Sequence, residues 1–66
     1  MKRYDVYISG GEKINSVYSS CISNACESFI RTLENPARYT LQSKEYASIR
    51  FTDNYTISSD YLIIKA

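Results

Sequence analysis

The side chains in this chain that could do chemistry are few: Cys21 and Cys26, Asp53 and Asp60, the Gly10-Gly11 dipeptide, and seven tyrosines interleaved with arginines and lysines. There is no histidine, so the usual neutral-pH base, the middle member of a nucleophilic triad and the imidazole metal ligand are all missing. A base would have to be a carboxylate, a lysine or a tyrosine of shifted pKa, and no nucleophile, base and electrostatic stabiliser assemble around one. The expectation is a protein that is not an enzyme and has no cofactor and no metal.

Each candidate also has a plain structural role. Cys21 and Cys26 lie in a segment with helical periodicity, where five residues put them about 140° apart and unable to bridge within the helix. Four-ligand zinc sites cannot be assembled within one such chain, so free thiols in a reducing cytoplasm are expected, the alternative being a disulfide or a zinc site shared between copies. Asp53 and Asp60 flank Tyr55 to Ser58 and could approach across a loop as paired carboxylates or calcium ligands. Their spacing is not that of an EF-hand, and turn formation accounts for both. Gly10-Gly11 lacks the further glycines and the Lys-Ser/Thr of a phosphate loop, and it fits a hairpin turn.

The elements that must position these residues follow from periodicity. Residues 3 to 9 alternate, with Tyr4, Val6 and Ile8 opposite Arg3, Asp5, Tyr7 and Ser9, the period of a half-buried strand. Ile14 to Ser20 returns from the glycines as a second strand. Two registers compete: a two-residue turn pairs Tyr4 with Val17, whereas a looser loop from Ser9 to Lys13 pairs Ile8 with Ile14 and Tyr4 with Tyr18. The looser one unites the apolar set on one face and is preferred.

Between Ser20 and Asn35, Ile22, Ala25, Cys26, Phe29, Ile30 and Leu33 fall at helical spacing. This predicts one amphipathic helix, capped by Ser19 or Ser20 and stopped ahead of Pro36. Beyond it, Tyr39 to Ser43, Tyr46 to Thr52 and Tyr61 to Lys65 have strand character, with Lys44-Glu45 and Asp53-Asn54 as turns and Tyr55 to Ser58 as a short strand or a loop. The whole of 1–66 is therefore expected to be a single α+β domain, order ββαββ(β): an antiparallel sheet of four or five short strands packed on one helix. Its expected core is Val6, Ile8, Ile14, Ile22, Cys26, Phe29, Ile30, Leu33, Ile49, Phe51, Leu62 and Ile64.

One helix covers one face of such a sheet, leaving the other for water or a partner. Arg3, Tyr7, Tyr46, Arg50, Tyr61 and Ile63 are assigned to that open face as candidate partner-binding residues, because tyrosine and arginine combine contact area with compatibility with water. For any single tyrosine, β-propensity on a solvated face is a sufficient explanation. Length and charge bound the remaining possibilities. Sixty-six residues allow one small domain with a thin core, and the net charge of +1 supplies no field toward nucleic acid or an anionic membrane. Nucleic acid would need a local patch, for which Lys2, Arg3, Lys44 and Arg50 with Tyr7, Tyr46 and Tyr61 are the material. The start, Met1 to Asp5, has no apolar run of a signal peptide, and no stretch is apolar enough to span a membrane, so a cytoplasmic protein is expected.

The phrase Ile49-Arg50-Phe51-Thr52-Asp53-Asn54-Tyr55 with Ser59-Asp60-Tyr61 resembles a strand-turn-strand phrase of small bacteriophage and plasmid proteins. The hairpin, helix and meander plan is similar to that of small phage anti-defence proteins, including anti-CRISPR proteins. That resemblance implies a non-enzymatic inhibitor acting by surface contact on a host protein or ribonucleoprotein complex, and it transfers no functional residue. A small nucleic-acid-binding module on the same aromatic face is the first alternative. A structural subunit that forms a homodimer through the open face or the terminal edge strand is the second.

Overall fold

A computed structural model of the chain describes residues 1–56 and 58–66. Five strands and one helix follow in the order β1 (Lys2–Ile8), β2 (Lys13–Ser19), α1 (Ile22–Ile30), β3 (Ala37–Leu41), β4 (Tyr46–Phe51) and β5 (Tyr61–Lys65). The strands form one sheet in the order β2-β1-β5-β4-β3, with every pair antiparallel. The helix packs on one face of it, as expected of an α+β domain. The first and last strands are neighbours at the centre, so the chain's final strand offers no edge for association, and the free edges are β2 and β3.

The hairpin follows neither register considered from the sequence in full. The amide of Gly11 donates to the carbonyl of Ile8 at 2.7 Å, and Gly10 takes a φ of 72°, a left-handed conformation that only glycine adopts without strain. Ile8 then bonds Glu12, leaving a three-residue loop. Tyr7 stands opposite Lys13 while Val6 stands opposite Asn15, so Ile14 is the extra residue of a β-bulge. The bulge shifts the rest of the hairpin, and Tyr4 pairs with Val17 rather than with Tyr18. The preferred register counted only the hairpin's own apolar residues. The register adopted places Tyr4, Val17 and Ser19 under the helix and turns Tyr18 outward.

Helix α1 is shorter than its apolar periodicity. Its N-cap is Cys21, in extended geometry, rather than either serine, and the first helical bond runs from the Ala25 amide to the Cys21 carbonyl at 3.0 Å. Ser20 instead accepts from the Asn24 side chain at 3.0 Å. Past Ile30 the bonds tighten, with Thr32 donating to Phe29 and Leu33 to Ile30, and the Thr32 hydroxyl takes the Phe29 carbonyl at 2.7 Å. The final turn thus closes ahead of Pro36 while Leu33 still packs on the core.

The core is Tyr4 and Val6 of β1, Ile22, Ala25, Cys26 and Phe29 of α1, Ala47 and Ile49 of β4, and Ile63 of β5, all buried, with Val17, Ile30, Leu33, Ala37, Tyr39 and Tyr61 packed around them. Tyr61 is held edge-on by two rings, Phe29 at 5.0 Å and Phe51 at 5.8 Å. The assignment of β5 is therefore inverted relative to the sequence expectation: Tyr61 and Ile63 face the helix, and Leu62 and Ile64 face away. Ile8, Ile14 and Ile64, expected in the core, are exposed. The strand considered for Tyr55 to Ser58 falls partly outside the described residues, and Tyr55, Thr56 and Ser58 lie in no strand.

Candidate binding face

Residues directly opposite each other on antiparallel strands share a face, so the pairing fixes what the helix leaves uncovered. One row across the sheet runs Ser16, Asp5, Ile64, Tyr46, and the next runs Lys13, Tyr7, Leu62, Ser48, Thr40. Arg3 stands opposite Tyr18 beyond one end, and Arg38 opposite Arg50 beyond the other. Tyr7, Tyr46 and Leu62 are half-buried by their neighbours, while Ile64 and Tyr18 are exposed. The centre of the face is thus Tyr7, Leu62, Ile64 and Tyr46, and its rim is Arg3, Lys13, Arg38 and Arg50.

Asp5 is the one carboxylate set into this face, and only 7% of it is exposed. The Ser16 hydroxyl donates to its Oδ1 at 2.9 Å, and the same oxygen faces Arg3 Nε at 3.3 Å and Lys13 Nζ at 3.7 Å. Both cations are about half exposed, so these ion pairs orient side chains more than they stabilise the fold. Four cations against one carboxylate make the face basic, although the whole chain has a net charge of only +1.

At the far corner the loop between β4 and β5 is organised by Asn54. Its side-chain oxygen accepts from the Thr56 amide at 2.9 Å and the Thr56 hydroxyl at 2.7 Å, and its nitrogen donates to the Ser58 carbonyl and to Asp60 Oδ2. Asp60 also accepts from the Phe51 amide at 2.8 Å, a loop-closing role. Among the described residues no group of three or more Cys, Asp or Glu side chains is gathered to hold a metal. Arg50 Nη1 donates to the Thr56 carbonyl at 3.0 Å, tying the loop to the face. Beside it lies a cleft of about 420 Å³ lined by Arg38, Thr40, Arg50, Thr52 and Asn54 with Tyr39 and Phe51.

Both thiols are free. Cys21, at the helix N-terminus, has its Sγ 3.2 Å from the Ser23 hydroxyl, and that contact first, then the Asn24 backbone amide, holds its pKa below the ordinary thiol value. Burial pushes the Cys26 thiol up to about 11. A disulfide between copies through Cys26 is closed off by its place in the core.

Of the six residues assigned to the open face from the sequence, Arg3, Tyr7, Tyr46 and Arg50 lie on it, with Arg3 and Arg50 at opposite ends, while Tyr61 and Ile63 lie on the opposite side under the helix. Lys13, Tyr18, Arg38, Leu62 and Ile64 belong to the face and were missed. For Tyr18 the signal was present: choosing the Tyr4–Val17 register turns it outward. Lys44, considered for a basic patch, sits in the loop between β3 and β4 instead. No helix among the described residues is long and apolar enough to cross a membrane. The chain matches no family model, no curated protein and no solved structure.

Proposed function

We propose that this domain is a non-enzymatic binding protein that works by covering a surface of a partner protein complex with the open face of its sheet. The observation that carries this is the apolar centre of Tyr7, Tyr46, Leu62 and Ile64 left half-exposed inside a cationic rim, the anatomy of a protein interface. Four inter-strand spacings of about 4.8 Å and six residues at about 3.4 Å give a flat footprint on the order of 400 Å². A stable interface takes about 800 Å² per partner, so the partner must wrap onto the flanking loops, and a concave or grooved surface suits it better than a flat one. The cationic rim favours an acidic one. The partner that the layout resemblance implies is a host defence or regulatory complex, with the protein acting in the host cytoplasm as a phage or mobile-element inhibitor by occlusion.

A second reading, single-stranded nucleic acid, is favoured by the basic charge of this one face and its tyrosines, which are suited to stacking on bases. The aliphatic pair Leu62 and Ile64 at the centre argues for protein. The two separate in a capture experiment from bacterial lysate with the tagged protein, run with and without nuclease at low and high salt. A stoichiometric protein that survives both treatments, and whose affinity falls tenfold or more in Tyr46→Ala and Ile64→Ala at unchanged fold, is the expected result. Nuclease-sensitive binding that weakens steeply between roughly 50 and 200 mM salt would replace it with the nucleic-acid reading.

A further inference from the structure

Arg38 and Arg50 stand directly opposite each other on β3 and β4. Like charges in that position repel and weaken a strand pair. Among the described residues neither guanidinium has a carboxylate within ion-pair distance; the ion pairs formed are Arg3–Asp5, Lys13–Asp5 and Lys65–Glu45. Asp60, which shapes this corner, is already taken by the Phe51 amide and the Asn54 side chain. The two cations line a cleft of about 420 Å³ together with Thr40, Thr52 and Asn54, the Thr52 hydroxyl donating to the Pro36 carbonyl at 3.4 Å. A second cleft of about 260 Å³, lined by Thr40, Gln42, Ser48, Arg50 and Ser59, shares Thr40 and Arg50 with the first.

We infer that the Arg38–Arg50 cleft binds a phosphate monoester carried on a small hydroxyl-bearing molecule. Charge balance selects the phosphate. Two guanidinium charges are met by the roughly −1.5 to −2 of a phosphate monoester at neutral pH, whereas a carboxylate leaves one of them uncompensated. Guanidinium groups also bind phosphate oxygens in a planar, bidentate way that lysine cannot reproduce. Arg50 is held by its bond to the Thr56 carbonyl, so less side-chain freedom is lost when the anion arrives. The adjoining cleft offers hydroxyl and amide groups, and these fit a polyhydroxy body rather than an apolar one. The cleft shares Arg38 and Arg50 with the rim of the docking face, but Ile64 at the centre of that face lines neither cleft.

The test is titration of the protein, followed by amide and arginine side-chain NMR shifts at constant ionic strength, with inorganic phosphate, glucose 6-phosphate, glucose and a phosphoserine peptide. The expected result is saturable binding of glucose 6-phosphate, about tenfold tighter than inorganic phosphate, equivalent to about 1.4 kcal/mol. Glucose alone should give no shift. Arg38→Gln, which leaves the Arg50–Thr56 bond intact, should weaken binding tenfold or more, and Ile64→Ala should leave it unchanged. Absence of saturation with every probe, or binding undiminished in Arg38→Gln, would overturn the assignment. Equal affinity for inorganic phosphate, or a tighter phosphoserine peptide, would overturn the small polyhydroxy ligand. Loss of binding in Ile64→Ala would show that the cleft depends on the docking face.

Discussion

At the residue scale the two thiols make the sharpest contrast, because one sequence interval separates opposite environments. Cys21 is half-exposed at a helix start, where a hydroxyl and backbone amides favour its thiolate. Cys26 is fully buried, and its pKa is pushed up to about 11. Iodoacetamide at neutral pH should therefore label one thiol, Cys21, in the folded protein, and both once it is unfolded; peptide mapping by mass spectrometry reads which. Equal labelling of both in the folded state would mean that Cys26 is not in the core. The same shift sets a pH dependence. A thiol whose folded pKa lies above its unfolded value near 9 costs nothing below pH 9 and destabilises the fold progressively as pH rises toward 11. Two units correspond to at most about 2.7 kcal/mol. Cys26→Ala should be less stable at pH 7 by about 1 kcal/mol but lose less stability than the parent between pH 9 and 11 in urea melts.

At the element scale β5 decides which side of the sheet is core, and adjacent isoleucines report it. Ile63 is fully buried against α1, β1 and β4, while Ile64 is 39% exposed on the opposite face. Ile63→Ala should cost about 2–5 kcal/mol, close to the whole stability of about 3–10 kcal/mol for a chain of this length. Ile64→Ala should cost less than about 1 kcal/mol. Chemical denaturation of the pair measures both, and equal losses would invalidate the face assignment. The number and kind of elements were legible from the sequence because β1, α1 and β4 each carry a clear period. The face of β5 was not, because Tyr61-Leu62-Ile63-Ile64 is apolar on both sides, so alternation does not say which side meets the helix. The register of the hairpin was lost for a related reason: a bulge at Ile14 breaks the parity that alternation depends on. Four of the six candidate face residues survived because they lie on β1 and β4, where alternation is unambiguous.

At the scale of the whole molecule the order of strands governs how the fold is completed. The hairpins β1–β2 and β3–β4 close locally, but they are joined only through β5, which pairs with β1 on one side and β4 on the other. The β1–β5 pairing brings Tyr4 opposite Lys65, and closing so long a loop costs about 2 kcal/mol more than closing a hairpin. That cost is recovered only when Ile63 and Tyr61 enter the core. The folded chain exposes 4483 Å², against about 11,000 Å² for an unfolded chain of this mass. With only about 60% of its surface buried, the domain has little stability to spare for a missing central strand. Removal of residues 61–66 should thus abolish cooperative unfolding and the near-ultraviolet signal of the ordered tyrosines, although both hairpins and the helix segment remain in the chain. Removal of Ala66 alone, whose amide bonds the Arg3 carbonyl at the sheet's end, should shift the melting temperature by only a few degrees. A cooperative transition retained after the six-residue deletion would show that β5 is an edge, and that the core is closed by a different pair of strands.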